Sequence, residues 1–377
     1  MTTRTYPTPP APGLEWADAH MPLTREAVRE LAPVFDGLRI AMCLHIEPKT
    51  AVLVRLLVEA GAQVSLTGSP GTTREDTVAE LRDRGVIVHA ARDDDAPRVA
   101  AVLASDPHLI LDNGGDLFRG VLDGHPVPHL RGGTEETTTG GIVLRRREHE
   151  VRHPIVVIND SPLKLLVENR FGVGQSVVQA FMNATNLMIP GSRATVIGFG
   201  PCGRGTAHTL RQLGAVVTVV DTDPYRALEA SLEGFVVAGL DEALAHARFV
   251  FLATGAPGVL GAAQIAHLPH GVIIAGVGHH PWEMDLAALG RPVATEGFHA
   301  TYALPGDRAV HVIADTNMVN LVAGLGNPIE AMDLGLTLQA RSLAAVARGA
   351  VATGVHPVPD AVDRGVAEAF LRLRTAS

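Results

Sequence analysis

Three groups of residues in this sequence have types and spacings suited to chemistry. The first is Gly198-Phe199-Gly200-Pro201-Cys202-Gly203, a G-x-G-x-x-G turn that follows the apolar run 194–197 and opens a helical pattern over 204–213. Glycines so placed permit a tight turn, a close approach of backbone to a pyrophosphate, and close helix–strand packing. The helix N-terminus then stabilises the phosphate charge. Asp221 closes the next apolar run, 216–220, about 20 residues on, where a carboxylate accepts hydrogen bonds from a ribose 2′-hydroxyl and repels a 2′-phosphate. The pattern predicts NAD in preference to NADP, with Arg226 as the one residue suited to a 2′-phosphate. A glycine-rich turn without a ligand is the plain alternative.

The second group is the lysines. Lys49 and Lys164 are the only two in the chain; every other cationic side chain is arginine. Arginine does not deprotonate in proteins, so proton transfer by a basic side chain falls to a lysine or a histidine. The third group is His45 and the pair Glu135-Glu136, which are acid/base types. Their plain readings are a satisfied loop histidine and two solvated carboxylates. Cys43 and Cys202 lie far apart without metal-ligand spacing, which predicts reduced thiols and no metal site.

The elements that must position these residues follow from apolar runs and turn residues. Strands are predicted at 38–43, 63–66, 87–89 and 109–111, with helices over 50–60, 73–84 and 96–104 between and after them. Such alternation implies a parallel sheet covered by helices. Residues 114–141 read as loop-rich, followed by a strand at 155–158 and a long helix over 174–188. Strands at 194–197, 216–220, 249–252, 271–275 and 311–313 form a second α/β series, and helices over 328–348 and 359–373 close the chain.

A chain of 377 residues holds two or three domains. Its formal charge of −9, with no basic cluster, gives no electrostatic case for nucleic acid or anionic lipid. Arg145-Arg146-Arg147 is followed at once by Glu148 and Glu150. The apolar runs are of strand length, short of a membrane span, and the polar, proline-rich start is not a signal peptide. A cytoplasmic enzyme is the expectation.

Several segments, in order along nearly the whole chain, resemble the S-adenosylhomocysteine hydrolase family. They are Leu44-His45, LILDNGGDL from Leu109, EETTTG from Glu135, NDSPLKLLVENRFG from Asn159, GFGPCGRG from Gly198, DTDP from Asp221, VGHH from Val277 and NMVNL from Asn317. The resemblance implies an α/β fold in which a Rossmann NAD-binding domain is inserted into a split α/β substrate-binding domain. Its implied boundaries are 1–172 for the first part of the substrate domain, 173–327 for the NAD domain, 328–356 for the second part, and 357–377 for a C-terminal helix with a truncated tail. The implied chemistry is transient: NAD takes hydride from the ribose 3′ carbon, the C4′ hydrogen becomes acidic, and the 5′ substituent is expelled. Water then adds and the ketone is reduced again.

By the same resemblance the candidate catalytic residues are His45, Asn113, Glu136, Lys164, Glu168 and His279. Lys164 matches the base for the 3′-hydroxyl, a role that needs an amine kept partly neutral. Glu136 binds the sugar hydroxyls, and Glu168 stands where the family has aspartate, one methylene longer. The implied substrate contacts are Glu47, Lys49, Thr138 and Asn327. The implied cofactor contacts are Thr137, Thr138, Thr139, Asn169, Gly198, Gly200, Pro201, Cys202, Gly203, Asp221, Arg226, Thr254, Val277, Gly278, His279 and Asn320. Partners are expected to be a small-molecule nucleoside and further copies of the chain, as homodimer or homotetramer.

The departures from the family gather around the substrate. Asn113 replaces an aspartate that handles protons at the 5′ position, and an amide does not titrate. Glu47 stands for threonine and Lys49 for glutamate, which inverts the hydrogen-bond code for the base. Asn327 stands for a histidine and Val173 for a cysteine. The sequence therefore predicts a diverged enzyme that eliminates at C5′ of another nucleoside, giving an exocyclic alkene by loss of water, as in an angustmycin-type dehydratase of nucleoside-antibiotic biosynthesis. An ordinary S-adenosylhomocysteine hydrolase is the alternative, and a non-catalytic NAD-binding regulator the third reading.

Overall fold

The computed structural model describes residues 12–68, 72–89 and 95–376; the proline-rich start of the chain, residues 1–11, lies outside the described residues. The fold is α/β. Asn169–Pro328 forms one compact unit, inserted into a second unit built from the chain on either side of it.

The outer unit carries a seven-stranded sheet. Its strands are β1 (Arg39–Leu44), β2 (Gln63–Gly68), β3 (Ile87–Val88), β4 (Leu109–Asp112), β5 (Gly132–Glu135), β6 (Pro154–Val157) and, from the far end of the chain, β15 (Gly354–Pro357). Their order is β15-β6-β5-β4-β1-β2-β3 and every pairing is parallel. The chain winds outward from β1 to β3, then restarts at β4 on the other side of β1. That reversal opens a crevice at the carboxyl ends of β1 and β4, the usual ligand position in such sheets.

The expected loop over 114–141 is in fact a helix (Asp116–Leu122), strand β5 and a second helix (Thr138–Arg146). Strand β5 is hidden in the sequence because it begins Gly132-Gly133. A side chain on Gly133 would collide with the Ile110 carbonyl of β4, and one on Gly132 with the Pro154 carbonyl of β6. Local propensity argues against a strand there, and close backbone packing on both sides overrides it. Strand β15, between the last two helices, was also not anticipated.

The helix Ile329–Ala347 is buried on nearly all sides, with Leu334, Leu336, Leu338 and Leu343 at 0% exposure. Truncating one of these leucines to alanine costs about 2–5 kcal/mol. Asp333 on the same helix accepts from the amides of Leu23 (3.0 Å) and Thr24 (2.7 Å), which start the helix Pro22–Phe35.

The inserted unit has β7 (Arg193–Ile197), β8 (Val216–Val220), β9 (Val236–Val237), β10 (Phe249–Leu252), β11 (Ile273–Gly276), β12 (Ala294–Glu296), β13 (His299–Leu304) and β14 (Arg308–Met318). Their order is β12-β13-β14-β11-β10-β7-β8-β9, parallel except for the antiparallel pairings of β13 with β12 and with β14. Again the order reverses, here between β7 and β10. Strands β12 and β13 escaped the sequence reading, and β14 is longer than the predicted 311–313. The β14 register jumps after Ile313, where Ala314, Asp315 and Thr316 all have positive φ (52°, 49° and 58°). Three left-handed non-glycine residues in a row cost roughly 1–2 kcal/mol each.

Candidate active site

In the outer unit the carboxyl ends of neighbouring strands gather residues that are far apart in sequence. His45 follows β1, Asn113 follows β4, and Glu136 follows β5. After β6 the chain turns through Ile158–Asp160 into the helical turn Pro162–Lys164, whose Ser161 cap accepts from the Lys164 amide. A π-helix, Leu165–Gly172, then carries Glu168 and Asn169, and the division between the two units falls inside it. π-Turns of this kind recur at functional sites.

Lys164 Nζ lies 2.7 Å from Glu168 Oε2 and 3.2 Å from Glu136 Oε1, with all three side chains buried. Burial disfavours the ammonium, but the two carboxylates outweigh it and hold the Lys164 pKa above the ordinary lysine value. The expected partly neutral amine is therefore corrected: one cation between two anions stays charged. Burial likewise opposes ionisation of Glu136, yet Lys164 and His45 hold its pKa below the usual carboxylate value.

Asn113 Nδ2 donates to Glu136 Oε2 at 2.9 Å, while its buried Oδ1 has no partner among the described residues. His45 Nδ1 shares a 2.6 Å hydrogen bond with the Thr72 hydroxyl. Burial pushes its pKa down to about 4, with Lys49 acting in the same direction and Glu136 against both. At neutral pH the imidazole is uncharged.

Glu47 and Lys49 are both buried and form an ion pair of 2.6 Å. Burial raises the Glu47 pKa, and Lys49 opposes that rise. The cation that stands for an acceptor in the implied base pocket is thus neutralised by its neighbour. Glu135 and Glu136 are not a solvated pair either. Glu135 accepts from the amides of Gly114, Gly115 and Thr137 and from the Thr137 hydroxyl, at 2.6–3.0 Å. Burial pushes its pKa up to about 7. Asp112, which accepts from the amides of Asn113 and Phe118, is raised by burial and by the charge of Glu135. These two carboxylates hold the loops that carry Asn113 and Glu136. The sequence reading missed their positioning role because adjacent acids look alike until the strand ends are known.

The threonine run starts the helix Thr138–Arg146. Thr137 is its N-cap and accepts from the Gly140 amide at 3.0 Å, Thr138 is exposed and bonded to Asn159 at 2.5 Å, and Thr139 is half-buried.

In the inserted unit the dinucleotide turn is a matter of backbone. Gly198 has φ 97°, and a Cβ there would lie 2.7 Å from the Ala253 carbonyl across the β7/β10 reversal. A Cβ on Gly203 would collide with the Gly198 carbonyl. The helix begins at Pro201, three residues earlier than the pattern over 204–213 suggested, and Gly200 at its N-cap brings no side chain to the first turn. A helix start of this kind suits a phosphate. Half-buried Cys202 lies within that turn.

Asp221 Oδ2 accepts from the Phe199 amide (2.6 Å) and Oδ1 from the Asp223 amide (2.9 Å), which fixes the carboxylate beside the turn. Arg226 lies over Gly200 and pairs with Asp223 at 3.8 Å. Thr254 donates its amide and hydroxyl to buried Glu283 (2.8 and 2.5 Å), against which Gly278 packs beside buried Val277. The half-buried His279 ring lies 4.7 Å from that of His280. Asn320 Nδ2 donates to Ser176 (3.2 Å) and to Asn327 Oδ1 (3.3 Å), while its buried Oδ1 has no partner among the described residues. Asn327, predicted at the purine, is thus tied to a cofactor candidate. The open glycine turn, the fixed Asp221 and the orphaned Asn320 oxygen fit NAD.

Residues 169–326 match the family described as S-adenosyl-L-homocysteine hydrolase, NAD binding domain, and residues 13–128 match S-adenosyl-L-homocysteine hydrolase. The chain is 38% identical to an S-inosyl-L-homocysteine hydrolase of Methanopyrus kandleri, over 94% of this chain and 88% of the relative. It is 36% identical to an adenosylhomocysteinase of Archaeoglobus fulgidus, over 94% and 91%. The same identity holds for an S-inosyl-L-homocysteine hydrolase of Methanosarcina acetivorans, over 94% and 90%. The chain belongs to the S-adenosyl-L-homocysteine hydrolase family and is an NAD-dependent enzyme.

Proposed function

We propose that the enzyme cleaves the 5′-thioether of a nucleoside whose base is a keto-purine, as in S-inosyl-L-homocysteine. The observation that carries this reading is the buried Glu47–Lys49 pair. Where the family has an acceptor at 49 and a hydroxyl at 47, this chain places a donor at 49 and an acceptor at 47. A donor beside an acceptor complements the O6 acceptor and N1–H donor of a keto-purine. A site built on buried polar groups rejects the base whose donors and acceptors do not complement them. Two of the relatives named above carry the corresponding inosyl name.

Bound NAD supplies reversible removal of hydride from the 3′ carbon. Glu136 and Glu168 hold the sugar hydroxyls and Lys164 between them. Since Lys164 is charged at rest, it becomes the base for the 3′-hydroxyl when its own proton is drawn toward one of these carboxylates. His45, neutral at pH 7, serves the 5′ end together with Thr72. A thiolate leaves without a strong acid because thiols ionise near pH 8.5, whereas hydroxide does not. Neither neutral His45 nor the Asn113 amide supplies such an acid, so the geometry favours the thioether over loss of water.

One observation favours the dehydratase as a second reading. The unpartnered Asn113 Oδ1 suits a substrate hydroxyl at C5′, and an amide there does not catalyse re-addition of water. The test is to incubate the NAD-loaded enzyme with S-inosyl-L-homocysteine, S-adenosyl-L-homocysteine and nucleosides bearing a free 5′-hydroxyl, with mass spectrometry as the readout. Homocysteine release from the inosyl substrate well ahead of the adenosyl one is expected. Equal or better cleavage of the adenosyl substrate would return the enzyme to ordinary S-adenosylhomocysteine hydrolysis, and loss of water alone would establish the dehydratase.

A further inference from the structure

We infer that Gly335 is a positioning residue for the Lys164–Glu168 pair: the side chain missing from the helix Ile329–Ala347 is the space that lets a glutamate reach the amine. The inference rests on the proposed role of Lys164 as the 3′-hydroxyl base. A Cβ built on Gly335 would overlap Glu168 Oε2, the oxygen that meets Lys164 Nζ at 2.7 Å. It would also lie 3.5 Å from Glu168 Cδ and 3.6 Å from Lys164 Nζ.

Backbone conformation does not explain this glycine. Gly335 sits inside a 19-residue helix, between buried Leu334 and Leu336, and it is absent from the positive-φ glycines among the described residues. Glycine in a helix interior is less favourable than alanine, so its place here is accounted for by space. The obstructing atom is the far end of a side chain, not backbone. An alanine at 335 is therefore accommodated by displacing the Glu168 carboxylate, while the helix and its Asp333 contacts remain. Lys164 then keeps Glu136 but loses its closer anion, with His45 and Asn113 beyond Glu136 unable to replace it. An acid one methylene shorter at 168 withdraws from the new methyl group and restores room for the pair.

The two-lysine composition makes the test direct, because isotope-labelled lysine gives two side-chain ammonium resonances, of which Lys164→Ala identifies one. In the NAD-loaded enzyme, hydrogen-bond coupling from the Lys164 ammonium to the Glu168 carboxylate is expected in the wild type and lost in Gly335→Ala. Coupling to the carboxylate at 168 is expected to return in Gly335→Ala/Glu168→Asp. The melting temperature of Gly335→Ala should hold or rise. Homocysteine release from S-inosyl-L-homocysteine should lose about a hundredfold in kcat with KM little changed, and recover in the double variant. Persistence of the coupling in Gly335→Ala, or no recovery on shortening residue 168, overturns the inference. Coupling that follows this pattern while kcat stays at the wild-type level upholds the positioning and overturns the base role of Lys164.

Discussion

The two candidate sites of this enzyme are built in opposite ways. In the inserted unit, the dinucleotide turn is one contiguous segment whose chemistry is carried by backbone: a left-handed glycine, an uncapped helix start, and a single carboxylate fixed by the Phe199 and Asp223 amides. In the outer unit, the acid/base cluster is side chains only, drawn from four segments between His45 and Glu168 and held by carboxylates that are themselves buried. A backbone site is constrained by shape and tolerates little change of residue. A side-chain site keeps its framework while single positions change what is recognised, and the proposed change of base at Glu47 and Lys49 is of that kind.

The most severe challenge to this contrast is Lys164→Ala. We expect at least about a thousandfold loss of kcat with bound NAD undiminished, read from turnover and from cofactor content after gel filtration. Activity within tenfold of wild type would mean that the cluster does not carry the chemistry.

Gly198→Ala should do the reverse. With φ at 97° and a carbonyl in the way, it should strip NAD from the enzyme and destabilise the inserted unit by about 2–4 kcal/mol, measured by cofactor retention and denaturant midpoints. The Lys164–Glu168 coupling should survive.

The exchange Glu47→Thr with Lys49→Glu sharpens the comparison, because it should move base preference toward adenine by about a hundredfold in relative kcat/KM and leave NAD binding alone. Lys49→Ala by itself should instead destabilise by about 3–5 kcal/mol, since it leaves Glu47 buried without its cation.

A further effect concerns pH. His45 has a folded-state pKa of about 4 against 6.5 for an ordinary histidine. Between those values the unfolded chain binds the proton and the folded one does not, so stability falls as pH drops from about 6.5 to 4. His45→Gln should remove up to roughly 3 kcal/mol of that dependence, visible in melting curves across the window.

How much of each site was legible follows from the same difference. Gly198 to Gly203 and Asp221 could be found without any structure, because the turn is local and its glycines are steric necessities. The convergence of His45, Asn113, Glu136 and Lys164 came from family resemblance. Their types and spacings alone did not distinguish a cluster from a loop histidine and a solvated acid pair. Strand β5, which delivers Glu136, is invisible to propensity because its two glycines serve the backbones of β4 and β6.

The sequence by itself determined the α/β alternation and the cofactor class, since these depend on local periodicity and residue type, while its resemblance to the family named the candidate acid/base residues. Only the tertiary structure decided their states. It paired Lys49 with Glu47, kept Lys164 charged, made His45 neutral and set Glu135 to hold the loops around the site. Each outcome depends on burial and on charges brought close from distant segments, and the free energy of a buried charge is a property of its surroundings.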